Sequence, residues 1–163
     1  MHTLGGQAAI VIENAHLIAD LHNSNLEITL AYDTTLEGWA KALEFRDQET
    51  EGHSQRVTDL SIIMAASLGL DSEKIIHIRR GAILHDIGKM GIPDNILHKP
   101  GNLNDKEWDI MRQYPKIAHD LLNPIEFLKK PSTFHTCHHE RWDGSIYPKG
   151  LQGVEIPLFA RTF

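Results

Sequence analysis

The chain has 163 residues, about the size of one domain, and 41% of them are hydrophobic, enough to enclose a single core. A charged fraction of 23% without any run near the roughly 18 apolar residues of a membrane span excludes both a disordered tail and an integral membrane protein. The 16 basic and 22 acidic residues leave a net charge of -6, which excludes broad binding to a nucleic-acid backbone, and the lone Cys137 excludes a disulfide framework.

All seven prolines lie at or after Pro93, so the first 92 residues are expected to be almost entirely helical. Ile10, Leu17, Ile18 and Leu21 recur at helical steps within 7–26, and Leu30, Leu36, Trp39, Ala40 and Leu43 do so within 27–45. No Gly-Pro break separates these runs, so they can form one helix, packed against the domain or paired with a second copy. A helix over 51–68 follows, with Gly69 as its C-terminal stop, and Asp71 or Ser72 caps another over 73–86. Residues 91–104 read as a loop. Asn104 or Asp105 caps a helix carrying Trp108, further helices are expected over 117–122 and 134–140, and 142–157 reads as an extended loop.

Histidine is over-represented, with 11 residues, several of them beside carboxylates. His85 and Asp86 end an otherwise apolar helix, where burial demands a partner for each. A metal ion is one such partner; local pairing of Asp86 with Lys89 and of His85 with a backbone carbonyl is the alternative. Glu49 and His53 are spaced to share a helix face, and His138 and His139 can both ligate where a helix ends. If these clusters converge, they supply more donors than one tetrahedral zinc requires, and two or three divalent ions, iron or manganese, are expected. Such a centre suits phosphoryl displacement, with Lys89 steadying a phosphate oxygen and Asp86 bridging ions. Cys137 reads as a packed core residue.

The ordered motifs Arg46-Asp-Gln-Glu-Thr-Glu-Gly-His53, His85-Asp-Ile-Gly-Lys89, His138-His-Glu-Arg-Trp-Asp-Gly144 and Tyr147-Pro-Lys-Gly-Leu151 resemble the HD-GYP subgroup of HD-domain phosphohydrolases. The resemblance covers about residues 36–163. It implies an all-α, HD-type helical bundle that hydrolyses cyclic di-GMP to pGpG or GMP in bacterial signalling, in the cytoplasm. It also implies His53, His85, Asp86, His138 and His139 as metal ligands, with Glu49 at a third ion. Asp47, Lys89, Tyr147 and Pro148 match positions that face substrate. The segment from Leu4 to Leu17 resembles the closing helix of a GAF sensory domain, so residues 1–26 are expected to be the end of such a domain and its connector. Residues 27–163 are then the phosphohydrolase, and homodimerisation through the N-terminal helix and protein partners in signalling are expected.

Three departures from the family pattern stand out. Tyr114 occupies a position that usually holds a histidine ligand, and His119 is too far along to replace it. Ile146 stands where the signature has glycine. The chain ends at Phe163, before the family's last aspartate ligand, so the site is expected to be incomplete and its activity feeble. A catalytically degenerate module that binds nucleotide or protein is the alternative.

Overall fold

A computed structural model describes residues 4–129, 136–145 and 149–161. The described residues contain helices, 3-10 turns and loops, with no strand, in agreement with the all-α expectation. The chain divides into two compact units, Met1–Thr35 and Leu36–Phe163.

The two expected N-terminal runs form one helix, α1 (Leu4–Asp47). Within the first unit its apolar residues, including Val11, Ile18, Leu21 and Leu30, are exposed. Within the second unit, Leu36 and Ala40 join Ile83, Leu84, Ile87, Ala118, Leu122 and Leu128 in the main core cluster.

Helix α2 (His53–Ser67) begins two residues later than the pattern suggests, after Gly52 at φ 72°, a left-handed geometry that favours glycine. Its buried residues are Ser54, Thr58, Ser61 and Ala65, while Leu60, Ile63, Met64 and Leu68 are exposed. Small side chains allow close helix approach, so the apolar periodicity of 51–68 marks the outer face of α2. Helix α3 (Ser72–Ile83) packs against α2, and the Asp71 carboxylate caps it by accepting from the Lys74 backbone N–H at 2.9 Å.

Helix α3 stops three residues short of the expected end. The His85 N–H bonds to the Ala82 carbonyl, and a 3-10 turn over Ile87–Gly91 continues the chain. His85 and Asp86 therefore lie in a tight turn between α3 and the 3-10 turn. The expected loop after Gly91 contains a short helix, α4 (Asp94–Leu97). Helix α5 (Asp105–Met111) is capped by Asn104, the first of the two expected cap residues, in a capping box with Glu107.

Helix α6 (Tyr114–Leu122) starts earlier than expected because Pro115 fits its first turn, where no intrahelical N–H is needed. It packs on the 3-10 turn through Gly88, and a Cβ at that position would lie 2.8 Å from the Tyr114 carbonyl carbon. That close approach fixes Tyr114 beside the His85-Asp86 turn. Beyond it lie a 3-10 turn over Glu126–Leu128, a helical pair at 136–137, a 3-10 turn over Gly153–Glu155 inside the expected extended loop, and α7 (Leu158–Arg161). Cys137 is buried with Ile156 and Ala160, as a core residue. Part of the helix expected over 134–140 lies outside the described residues.

Candidate metal centre

His85 is 3% exposed, and its Nδ1 lies 2.9 Å from the Ala82 carbonyl oxygen. A carbonyl can only accept, so Nδ1 carries the hydrogen and Nε2 presents its lone pair. That Nε2 lies 3.0 Å from Asp86 Oδ2. Two acceptors face each other at this distance, and only a positive centre, a second proton or a cation, reconciles them. Asp86 also accepts from Lys89 Nζ at 2.7 Å. The local pairings posed as an alternative to metal binding are thus both present, yet they coexist with a wider convergence.

Asp86 belongs to three clusters whose donor atoms lie within 4.8 Å of one another: with His53 and His85, with His138 and His139, and with Asp47 and Glu49. The ring centroids of His53 and His85 are 5.5 Å apart, and those of His85 and His138 are 5.7 Å apart. His138 and His139 sit in the turn that follows the helical residues 136–137, which lets adjacent imidazoles face one centre. A carboxylate shared among imidazole and carboxylate groups fits divalent ions with nitrogen and oxygen donors. A single structural zinc uses fewer ligands than are gathered here.

Glu49 and His53 meet differently from the expected pair on one helix. Glu49 precedes α2, in the turn after α1, and reaches within 3.7 Å of His53 Nδ1. Gln48 turns the chain there with φ 56°, a strained conformation for a residue other than glycine. It places Asp47 and Glu49 on either side of Lys89 Nζ, at 2.6 and 3.4 Å.

Burial opposes the charge on Asp86, but the adjoining His85 and the Lys89 ammonium more than offset it and hold the carboxyl well below its usual range. Burial likewise pushes the Lys89 amine down, and Asp86 and Asp47 more than reverse this, so Lys89 stays charged. Burial lowers the pKa of His139, favouring the neutral imidazole that a metal requires.

Two positioning residues escaped notice in the sequence. Glu44 of α1 caps α2, accepting from the Gly52 N–H at 3.1 Å and the Ser54 N–H at 2.8 Å, and so fixes the entry of His53. Arg46 donates to the carbonyls of Lys89 and Ile92 and to Asp94, tying α1 to the 3-10 turn. The Glu44 pairing crosses the turn between two helices and the Arg46 pairings span more than 40 residues, so neither is visible to periodicity. The Glu140 carboxylate accepts from the backbone N–H groups of Lys149 and Leu151. Tyr147 and Pro148, expected to face substrate, and Ile146 lie outside the described residues.

Beside His138 and His139 opens a cleft of about 550 Å³, lined also by Arg141, Trp142 and Arg161. It provides the local cations that an anionic ligand would need on a chain of negative net charge. His119 pairs with Asp120 on the exposed side of α6 and takes no part in the clusters.

A family model described as an HD domain matches residues 39–162, a span that contains every clustered ligand. The chain belongs to the HD-domain family. This HD domain is 45% identical over 119 residues to the cyclic di-GMP phosphodiesterase of Thermotoga maritima, covering 71% of the chain and 32% of that protein. It is 41% identical over 129 residues to the cyclic di-GMP phosphodiesterase response regulator RpfG of Xanthomonas campestris, covering 78% of the chain and 34% of the relative. It is also 38% identical over 154 residues to the 3'3'-cGAMP-specific phosphodiesterase 2 of Vibrio cholerae, covering 93% and 28%. The chain thus spans about a third of the length of these relatives.

Proposed function

We propose that this HD domain is a metal-dependent phosphodiesterase that hydrolyses cyclic di-GMP to pGpG or GMP. The observation that carries this reading is Asp86, shared by three donor clusters, one of which holds the His138 and His139 that line a cleft with two arginines. His53, His85, Asp86, His138 and His139 hold two or three ions, iron or manganese, with Glu49 joining at the edge. Bound divalent ions supply the positive charge that polarises a phosphodiester and acidifies an attacking water.

The chain's own groups do the rest. Lys89, held by Asp47 and Asp86, keeps an ammonium at the edge of the donor clusters, where it can meet a phosphate oxygen as negative charge develops. Arg141 and Arg161 bind phosphate, and the exposed Trp142 ring offers a face to guanine. Tyr147 and Pro148 complete the substrate contacts. The names of the relatives support a cyclic dinucleotide as the substrate class.

The same reading assigns residues 1–26 to the end of a GAF domain and its connector, and 27–163 to the phosphohydrolase. The exposed stripe of Ile10, Leu17, Leu21 and Ile28 pairs with a second copy in a parallel homodimer, a route by which protein partners act in signalling. No described helix is long and apolar enough to cross a membrane, and we place the protein in the bacterial cytoplasm.

The test is chromatography of cyclic di-GMP, with 3'3'-cGAMP in parallel, after incubation with manganese- or iron-loaded protein. Loss of cyclic di-GMP that stops on chelation and in His85→Ala is expected. A metal-loaded protein that binds either dinucleotide and leaves both intact would overturn the enzymatic reading.

A further inference from the structure

Tyr114 is 2% exposed, and its ring packs with Ile92 and Ile96. A buried tyrosine commonly directs its hydroxyl to a backbone group or water. Here Oη lies 2.9 Å from His138 Nε2 and also contacts His139 Nε2. Both histidines belong to the donor cluster that includes Asp86. Two donors at right angles around an ion 2.1 Å away lie about 3 Å apart, the separation found between Tyr114 Oη and His138 Nε2.

We propose that the Tyr114 phenolate is a ligand of the metal centre, binding at the His138-His139 corner. The inference rests on the metal-dependent reading above and names one donor of that site. The ion takes the place of the phenol proton, which leaves to solvent as protons do when ligands bind metal. The position is built into the fold, because Pro115 opens α6 and Gly88 admits the Tyr114 backbone against the His85-Asp86 turn. The substitution at residue 114 then exchanges a nitrogen donor for a hard, anionic oxygen. Oxygen donors of this kind suit iron and manganese better than softer metals.

The test loads the chain with iron(II) without air, measures iron per chain, and oxidises it with ferricyanide, which removes one electron per ion. The parent should show a visible phenolate-to-iron(III) charge-transfer absorption and the tyrosinate ring modes in resonance Raman. Tyr114→Phe should lose both signals with its circular dichroism unchanged. Tyr114→His, which restores a donor, should keep its iron and lack the signals, so the comparison survives if the Phe variant loses iron. Iron-loaded parent without the absorption, or Tyr114→Phe that retains it, overturns the proposal and leaves the metal reading standing. A parent that takes up no iron, manganese or zinc overturns both.

Discussion

The Arg46 guanidinium donates to the Lys89 carbonyl at 2.8 Å while its other nitrogen reaches the Ile92 carbonyl at 2.7 Å and Asp94 at 2.8 Å. One planar fork thus holds the turn that carries Lys89 against the end of α1, three residues before Glu49 and seven before His53. Arg46→Lys keeps the charge, but one ammonium cannot span three acceptors with that geometry. The expected loss is about 1.5–3 kcal/mol of unfolding free energy, read from urea midpoints, with weaker manganese binding. Asp94→Asn serves as the control. Asp94 is exposed, so its variant should change stability by less than about 1 kcal/mol. Equal effects from the two variants would show that the backbone fork carries no special weight.

Lys89 competes with any cation for Asp86 and Asp47. Lys89→Met removes that competitor and leaves the carboxylates unneutralised, so metal content at neutral pH should be unchanged or higher. Turnover of cyclic di-GMP should fall at least about tenfold, because the ammonium near the developing phosphate charge is lost. Metal analysis beside single-turnover kinetics separates the effects. Metal loss in step with activity would instead make Lys89 a structural support.

Glu44 gives a pH dependence with a definite sign. Burial pushes its carboxyl up, but hydrogen bonds from Ser54 and Gly52, with His53 close by, more than reverse this and hold it below its ordinary value of 4.5. A group whose pKa is lower folded than unfolded adds stability above its unfolded value and loses it as pH falls through the folded one. Glu44→Gln should therefore cost about 1 kcal/mol at pH 7, the usual scale of a cap. The difference from the parent should shrink below pH 4.5, measured by urea unfolding at several pH values. A gap that widens on acidification would contradict the assignment.

Metal should stabilise the fold. Manganese at 100 times its dissociation constant adds about 2.7 kcal/mol to a protein that binds it only when folded. Dialysis against chelator should lower the thermal midpoint, and added manganese should restore it. His85→Ala with Asp86→Ala should abolish the response, since Asp86 takes part in all three donor clusters.

Helix content and the residues that gather into the donor clusters were legible because periodicity and composition are local signals. The His85-Asp86 pair stood out as polar residues in an apolar run, and adjacent His138 and His139 stood out by composition. The orientation of α2 was not legible: Leu60, Ile63 and Met64 carry the strongest periodicity, yet Ser54, Thr58, Ser61 and Ala65 face inward. Hydropathy cannot identify a face chosen for small volume. The role of Arg46 was hidden for a related reason, since it acts on carbonyls more than 40 residues away that only tertiary folding brings near. Tyr114 was read from the family pattern as a lost ligand, whereas its hydroxyl points into the ligand cluster.

Gly88 and Gly91 lie in the same 3-10 turn and face α6, but an added methyl group meets different matter at each. At Gly88 a Cβ would press on backbone, 2.8 Å from the Tyr114 carbonyl carbon and 2.9 Å from the Ala118 nitrogen. At Gly91 it would meet the Ile117 side chain, 2.9 Å from Cδ1 and Cγ2, which can change rotamer. A side chain yields at small cost; a helix backbone moves only with everything packed on it. Gly88→Ala should destabilise by 3 kcal/mol or roughly more, at the top of the range for overpacked cores, and Gly91→Ala by about 1 kcal/mol or less. Because α6 carries Tyr114, displacement by Gly88→Ala should also weaken metal binding in the fraction that still folds, while Gly91→Ala leaves it intact. Thermal unfolding and manganese titration of the two variants check this. Comparable losses in both would mean that α6 yields as a unit and that its register against the His85-Asp86 turn does not hold the site in place.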